Sequence, residues 1–211
     1  MELDQILNKL NVSRETLSTL NKYRELVISE NLKINLISSK TASDFMERHI
    51  TDCAQAIEFI DKNNKTCTDL GTGAGLPGIV LAILLRDRNI DIKMNLYEKS
   101  YRKSIFLKSV SRELKLETEI FQRNVFREKN LVTGSILARA FKPLPIILDL
   151  IEKNFKKYTN LIIFMGKNGK QVLKSTIKDW KFEYKEKESL TNKGSFLLNI
   201  KNISKWKKLR S

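Results

Sequence analysis

Cysteine, proline, histidine and long apolar runs are all scarce in this chain, and each scarcity removes a class of protein. Two cysteines, Cys53 and Cys67, occur in 211 residues, and neither sits in a CxxC arrangement. That argues against a disulfide framework, and both read as reduced core thiols. His49 is the only histidine, and no metal is expected. No apolar run approaches 18 residues, so nothing is expected to span a membrane. The start, Met1-Glu-Leu-Asp-Gln, lacks a basic n-region and an apolar h-region, which predicts a cytoplasmic location. Acidic residues are also in short supply, 24 against 39 basic ones, for a net charge of +15. An excess of that size suits a polyanion, most commonly nucleic acid. It is carried by 28 lysines and only 11 arginines, which equally fits a codon bias rich in Asn, Ile and Lys.

What remains is ordinary globular composition, 41% hydrophobic and 30% charged, at a length that suits one well-buried core. Leu3, Ile6, Leu7 and Leu10 fall at helical spacing. Beyond Ser13, a suitable N-cap, Leu17, Leu20, Tyr23 and Val27 continue that period. Residues 31–39 read as a loop, and a helix follows from about 43 to 60. The pattern then becomes strand-helix alternation. Strands are expected at 66–70, 91–97, 118–122, 135–138 and 161–165, and helices at 79–85, 101–114 and 144–155. Two β-suited runs, 181–188 and 196–201, flank Asn192-Lys-Gly194, a hairpin signal. This order predicts an α/β doubly wound fold, a mostly parallel sheet closed by an antiparallel hairpin. The expected organisation is one domain over 1–211, with a helical extension over 1–62 and an α/β core over 63–211.

Four of the eight glycines crowd into Gly71-Thr-Gly-Ala-Gly-Leu-Pro-Gly78, between an expected strand and an expected helix. Glycine lets a ligand approach the backbone, and the free N–H groups of the following helix face it. Gly73-Ala-Gly75-Leu-Pro-Gly78 satisfies the dinucleotide fingerprint, with Glu98 twenty residues on. Read from Asp69, the same segment has an acidic residue ahead of the glycines. A carboxylate there repels a pyrophosphate but suits the ammonium and sulfonium of S-adenosylmethionine, which favours that donor over NAD. Glu98, closing the second strand, can accept both hydroxyls of a ribose. Arg139 stands at the carboxyl end of a strand, where doubly wound sheets bind ligands.

The glycine segment and Arg48-His-Ile-Thr-Asp52 resemble those of the RsmG (GidB) family of 16S ribosomal RNA guanine-N7 methyltransferases. Asn35-Leu-Ile-Ser38, Arg112-Glu-Leu-Lys-Leu116 and Ala138-Arg-Ala-Phe141 extend the likeness in order and spacing from about residue 30 to 170. The resemblance implies a class I methyltransferase fold with a seven-stranded sheet, S-adenosylmethionine as donor, and a loop guanine of small-subunit rRNA as acceptor. It places Gly71 and Leu76 on the cofactor, Val125 and Phe126 beside its adenine, and Arg139 between cofactor and substrate. Relatives usually carry an acidic residue at Phe126 and a serine at Ala138, and Asn124 is the polar group next to the first departure.

Donor-holding residues are thus expected to be Asp69, Gly71, Gly73, Gly75, Leu76, Glu98, Val125, Phe126 and Arg139, with Arg139 aligning the reactants. Arg48, His49, Arg102, Lys103, Arg123, Lys207 and Lys208 are candidates for RNA contact, and a solvated face or a structural histidine is the plainer alternative. The chain is expected to act as a monomer on 16S rRNA or the small ribosomal subunit. Rival readings are an NAD-dependent oxidoreductase and a non-catalytic RNA-binding assembly factor.

Overall fold

The structure, a computed structural model, describes residues 12–38 and 44–206. The helix expected on Leu3 to Leu10, and Lys207 and Lys208, lie outside the described residues.

The chain opens with α1 (Arg14–Asn31), whose N-cap Ser13 accepts a hydrogen bond from the Thr16 amide. After a loop comes a composite helix, α2, made of a π-helical turn Met46–Thr51, one α turn Asp52–Ala54 and a 3-10 stretch Gln55–Phe59. The sequence predicts a regular helix here. The wide π turn brings His49, Ile50 and Thr51 to the buried side together, and π turns concentrate at functional sites.

The core follows as β1 (Thr66–Leu70), α3 (Gly78–Asp87), β2 (Lys93–Tyr97), α4 (Tyr101–Glu113), β3 (Thr118–Phe121), β4 (Leu131–Val132), β5 (Ser135–Arg139), α5 (Leu144–Asn154), β6 (Phe155–Lys157), β7 (Asn160–Met165), α6 (Gly169–Thr176), β8 (Trp180–Glu188) and β9 (Phe196–Lys205). The seven-stranded sheet has the order β3-β2-β1-β5-β7-β9-β8. The first five strands are parallel and β9 runs antiparallel to both its neighbours. β4 and β6 form a separate two-stranded ribbon. Neither β4 nor β6, nor the short polar α6, stands out in the sequence.

Alternate strand residues feed two cores. Met94, Leu96, Leu137 and Ile162 pack with α1 to α4 on one face. Ile136, Ala138, Leu161 and Ile163 pack with α5 and α6 on the other. α3 is buried from Gly78 to Leu85, between the sheet and the N-terminal helices, which is why its sequence is apolar on every side. Each fully buried aliphatic side chain there contributes roughly 1.5–3 kcal/mol. The edge strand β8 is mostly exposed and rich in Lys and Glu, a composition that discourages edge-to-edge pairing. Cys53 and Cys67 are free and buried. No helix among the described residues is long and apolar enough to cross a membrane.

Candidate active site

Three parallel strands, β2, β1 and β5, lie side by side and end at the same rim. The loop leaving β1 turns through left-handed backbone at Gly71, Gly73 and Gly75, with φ of +66°, +60° and +102°. At Gly73 a side chain would be strained by this φ, and the space where its Cβ would stand is open. The Leu76–Pro77 peptide is cis. Gly78 answers a different need. A Cβ there would lie 2.3 Å from Leu96 Cδ2 and 2.8 Å from Asp69 Oδ2, so only glycine lets α3 start this close to the sheet.

The loop is fastened from three sides. Thr72 donates its amide to the Tyr97 carbonyl at 3.0 Å. Tyr23 of α1, fully buried, donates its hydroxyl to the Ala74 carbonyl at 2.9 Å. Asp69 Oδ2 accepts from the Thr72 hydroxyl at 2.5 Å and from the Gly78 amide at 2.9 Å. Asp69 Oδ1 is buried with no hydrogen-bond partner among the described residues. Burial pushes the carboxyl up to about 6, against the two hydrogen bonds that favour its ionised form.

In front of the loop lies a cavity of about 710 Å³, within the range of small-molecule sites. Glu98 on its wall accepts from the Gly73 amide at 3.1 Å through Oε2 and from the Ser100 amide at 2.7 Å through Oε1. Each oxygen keeps acceptor capacity for a further donor. Val125 and Phe126 form a 3-10 turn whose Phe126 amide is capped by Asn124 Oδ1 at 3.2 Å. The Phe126 ring stacks on Phe141, with centroids 5.9 Å apart. Asn31 Oδ1 takes the amides of Leu36 and Ile37, folding that loop so both residues reach the same cavity.

At the end of β5, Arg139 is held by three groups. Nε donates to Asp52 Oδ2 at 3.3 Å, and Nη2 donates to the Arg48 carbonyl at 3.2 Å and meets His49 Nδ1 at 3.1 Å. Burial works against its charge, but Cys53 and Asp52 outweigh it, so the guanidinium is held charged. Burial and the nearby Arg139 and Arg48 lower His49 to about 4. The imidazole is therefore neutral at pH 7 and its Nδ1 acts as the acceptor. A second cavity, of about 730 Å³, opens on the far side, with His49, Arg139 and Ala140 in the wall common to both.

A model of the rRNA small subunit methyltransferase G family matches residues 16–200. The chain belongs to this family. It is 52% identical over 202 residues to the ribosomal RNA small subunit methyltransferase G of Pelagibacter ubique, covering 95% of both chains. To that of Rickettsia akari it is 34% identical over 197 residues, covering 93% of this chain and 99% of the relative. Among solved structures it shares its fold with a SAM-dependent methyltransferase from Aquifex aeolicus, at TM-score 0.54 and 13% identity, over 74% of this chain and 92% of that one. It also resembles M. capricolum TrmK, solved with S-adenosylhomocysteine, at TM-score 0.52 and 15% identity, over 84% and 73% of the chains. The fold is that of the class I methyltransferases.

Within this family frame, the structure gathers most of the residues singled out from the sequence. Gly71, Gly73, Leu76, Glu98, Val125, Phe126 and Arg139 line the first cavity, and Lys103, Arg123 and His49 join them. Asp69 and Gly75 do not line it. Asp69 is fully buried behind the loop because the Gly78 amide and the Thr72 hydroxyl draw its carboxylate inward. It shapes the turn instead of facing a ligand. Arg102 is exposed on α4, outside the cavity walls. The Arg48 side chain pairs with Asp44 at 3.1 Å and lines the second cavity. Sequence reasoning did not assign roles to Tyr23, Phe141 or Asp52. Only Asp52 and Phe141 carried a signal, as members of segments shared with the family.

Proposed function

We propose that the chain transfers the methyl group of S-adenosylmethionine to N7 of a loop guanine in 16S rRNA. The observation that carries this reading is the first cavity, with a left-handed glycine turn and Glu98 on one side and a charged Arg139 on the other. Family membership points to the same chemistry.

The residues fit the donor. Glu98 offers acceptor capacity for a ribose diol, and Val125 with the Phe126–Phe141 pair makes an apolar slot for adenine. The Asp69 oxygen without a partner leaves negative charge behind the loop, which suits a cationic ligand. When bound, S-adenosylmethionine supplies an electrophilic methyl that a guanine N7 lone pair takes without loss of a proton. The protein then needs no general base, and its task is to hold donor and acceptor in line, worth up to roughly 7–11 kcal/mol. Arg139, fixed by Asp52 and the Arg48 carbonyl, orients groups at the boundary of the two cavities. The lysines and arginine around the mouth, Lys99, Lys103, Lys142 and Arg123, suit contact with RNA phosphates.

The test is transfer of labelled methyl to small-subunit particles from cells lacking the enzyme, with tRNA as control. The expected result is N7-methylguanine at one loop position. No label on any RNA, with S-adenosylhomocysteine binding intact, would refute the reading.

A further inference from the structure

The second cavity has the features of a base pocket. It shares a wall with the first, formed by His49, Arg139 and Ala140, so a ligand inside it abuts whatever occupies the donor side. Ala140 in that wall has φ of +49°, a left-handed conformation that costs a residue with a Cβ roughly 1–2 kcal/mol. Strain of this kind persists where surrounding structure enforces it, often at ligand clamps.

The opposite wall is the loop between β8 and β9. It contributes Ser189, Thr191, Asn192 and Ser195, a run of small hydrogen-bonding side chains. The wall is built, not draped. Ser189 and Thr191 donate their hydroxyls to Asp52 Oδ1, both at 3.2 Å, and the Leu190 amide donates to Gln55 Oε1 at 2.9 Å. Asp52 therefore holds the hairpin loop with one oxygen and Arg139 with the other. The Ser195 hydroxyl is buried and has no partner among the described residues, although the backbone of Ser195 is paired on both sides with Asn192 and Ser189. A buried hydroxyl left unsatisfied in a cavity wall is waiting for a ligand donor or acceptor. Phe164 and Met165 supply an apolar flank, and the Arg139 guanidinium lies 5.9 Å from the Phe164 ring centroid.

Resting on the function proposed above, we infer that this second cavity receives the acceptor purine, splayed out of its RNA loop. The base stacks against the Arg139 and Phe164 side, and its polar edge is read by Ser195 and the Ser189–Asn192 turn. Unpaired bases are recognised by such stacking on aromatic rings or guanidinium planes, together with hydrogen bonds along the edge. A neighbouring groove lined by Phe141, Pro143, Ile147 and Val172 is mainly apolar, and so lacks the groups to read a base edge.

Gly166 makes the test direct. It lines the second cavity and not the first, its φ is not left-handed, and a Cβ built there meets nothing within 4 Å. Gly166→Leu therefore adds bulk to the proposed pocket without a clash at its Cβ. Wild type, Gly166→Leu and Ser195→Ala are compared in three assays. These are S-adenosylhomocysteine affinity by calorimetry, methyl transfer to under-methylated small-subunit particles, and saturation-transfer NMR with guanosine 5′-monophosphate on the S-adenosylhomocysteine-loaded protein. Donor affinity should stay within about twofold in both variants. Gly166→Leu should lower transfer roughly tenfold or more, through misplacement of the acceptor, and remove the nucleotide NMR signal. Ser195→Ala should raise KM for particles about two- to tenfold, the worth of one hydrogen bond, and should melt like wild type. Should Gly166→Leu fail to fold, Ser195→Ala and the NMR signal decide. Full activity with unchanged KM in the folded variants overturns the pocket while leaving the proposed function standing. A wild type that binds S-adenosylhomocysteine but methylates no RNA overturns both.

Discussion

Replacing Asp52 by alanine should loosen two pieces of structure at once. Its Oδ2 takes Arg139 Nε at 3.3 Å, and its Oδ1 takes the hydroxyls of Ser189 and Thr191. The two side chains of the ion pair are 18% and 16% exposed, which places the pair between two regimes. A surface pair contributes about 0–1 kcal/mol, and breaking a fully buried one costs about 3–5. Arg139 would keep the Arg48 carbonyl and His49 as partners, which softens the loss. We therefore expect about 2–3 kcal/mol of destabilisation, or a Tm lower by roughly 5–10 °C for a chain of this length. The assay is a double-mutant cycle with Arg139→Met, read by thermal or urea denaturation and by methyl transfer. If Asp52 acts through Arg139, Asp52→Ala should cost at least about 1 kcal/mol less in the Arg139→Met background. Turnover should fall in Asp52→Ala while affinity for S-adenosylhomocysteine holds. Additivity within about 0.3 kcal/mol, or a loss confined to donor affinity, would refute the reasoning.

Glu98→Ala should weaken S-adenosylhomocysteine roughly ten- to a hundredfold by calorimetry, because it removes a charged acceptor from the cavity wall and frees the Gly73 amide. Asp69 gives a pH signature. Its carboxyl titrates near 6 when folded against an ordinary value of 3.8, so its contribution to stability is full below about pH 4 and is lost as pH rises through 6. Denaturation from pH 4 to 7 should show wild type losing about 3 kcal/mol relative to Asp69→Asn, because each tenfold change in proton affinity is worth about 1.4 kcal/mol; parallel profiles would count against it. Gly78→Ala should destabilise by about 1–3 kcal/mol through overpacking against Leu96 and Asp69. Gly166→Ala, with open space at its Cβ, should melt within a degree or two of wild type, on the order of an ordinary surface change.

How legible all this was in the sequence depended on how local each feature is. The glycine turn announced itself because backbone chemistry is written in residue type, and the strand-helix alternation around it followed from periodicity. Glu98 and Arg139 were found by their position at strand ends. The failures share a cause. α6 is short and polar, and β4 and β6 are too brief to show any period. The irregular winding of α2 is imposed by what packs on it, not by its own sequence. Asp69 was expected to face the donor, yet its partners Thr72 and Gly78 come from the turn's three-dimensional path. The contacts of Asp52 to Ser189 and Thr191 join residues 137 and 139 positions apart, which no local pattern records.

The hydroxyl of Tyr23 joins the first described helix to the turn that shapes the donor cavity. Burial holds that phenol well above its ordinary value of 10, so it remains a donor across any working pH. A turn with so few side chains has little packing of its own to resist opening, and it borrows rigidity from α1, 51 positions earlier in the chain. The two should then open as one cooperative unit. Amide hydrogens of α1 are expected to exchange more slowly when S-adenosylhomocysteine is added, by the factor that mass action gives for a ligand bound only to the closed form. In Tyr23→Phe that protection should fade from the helix while persisting at the turn, which makes α1 a remote reporter of occupancy at a site it does not line.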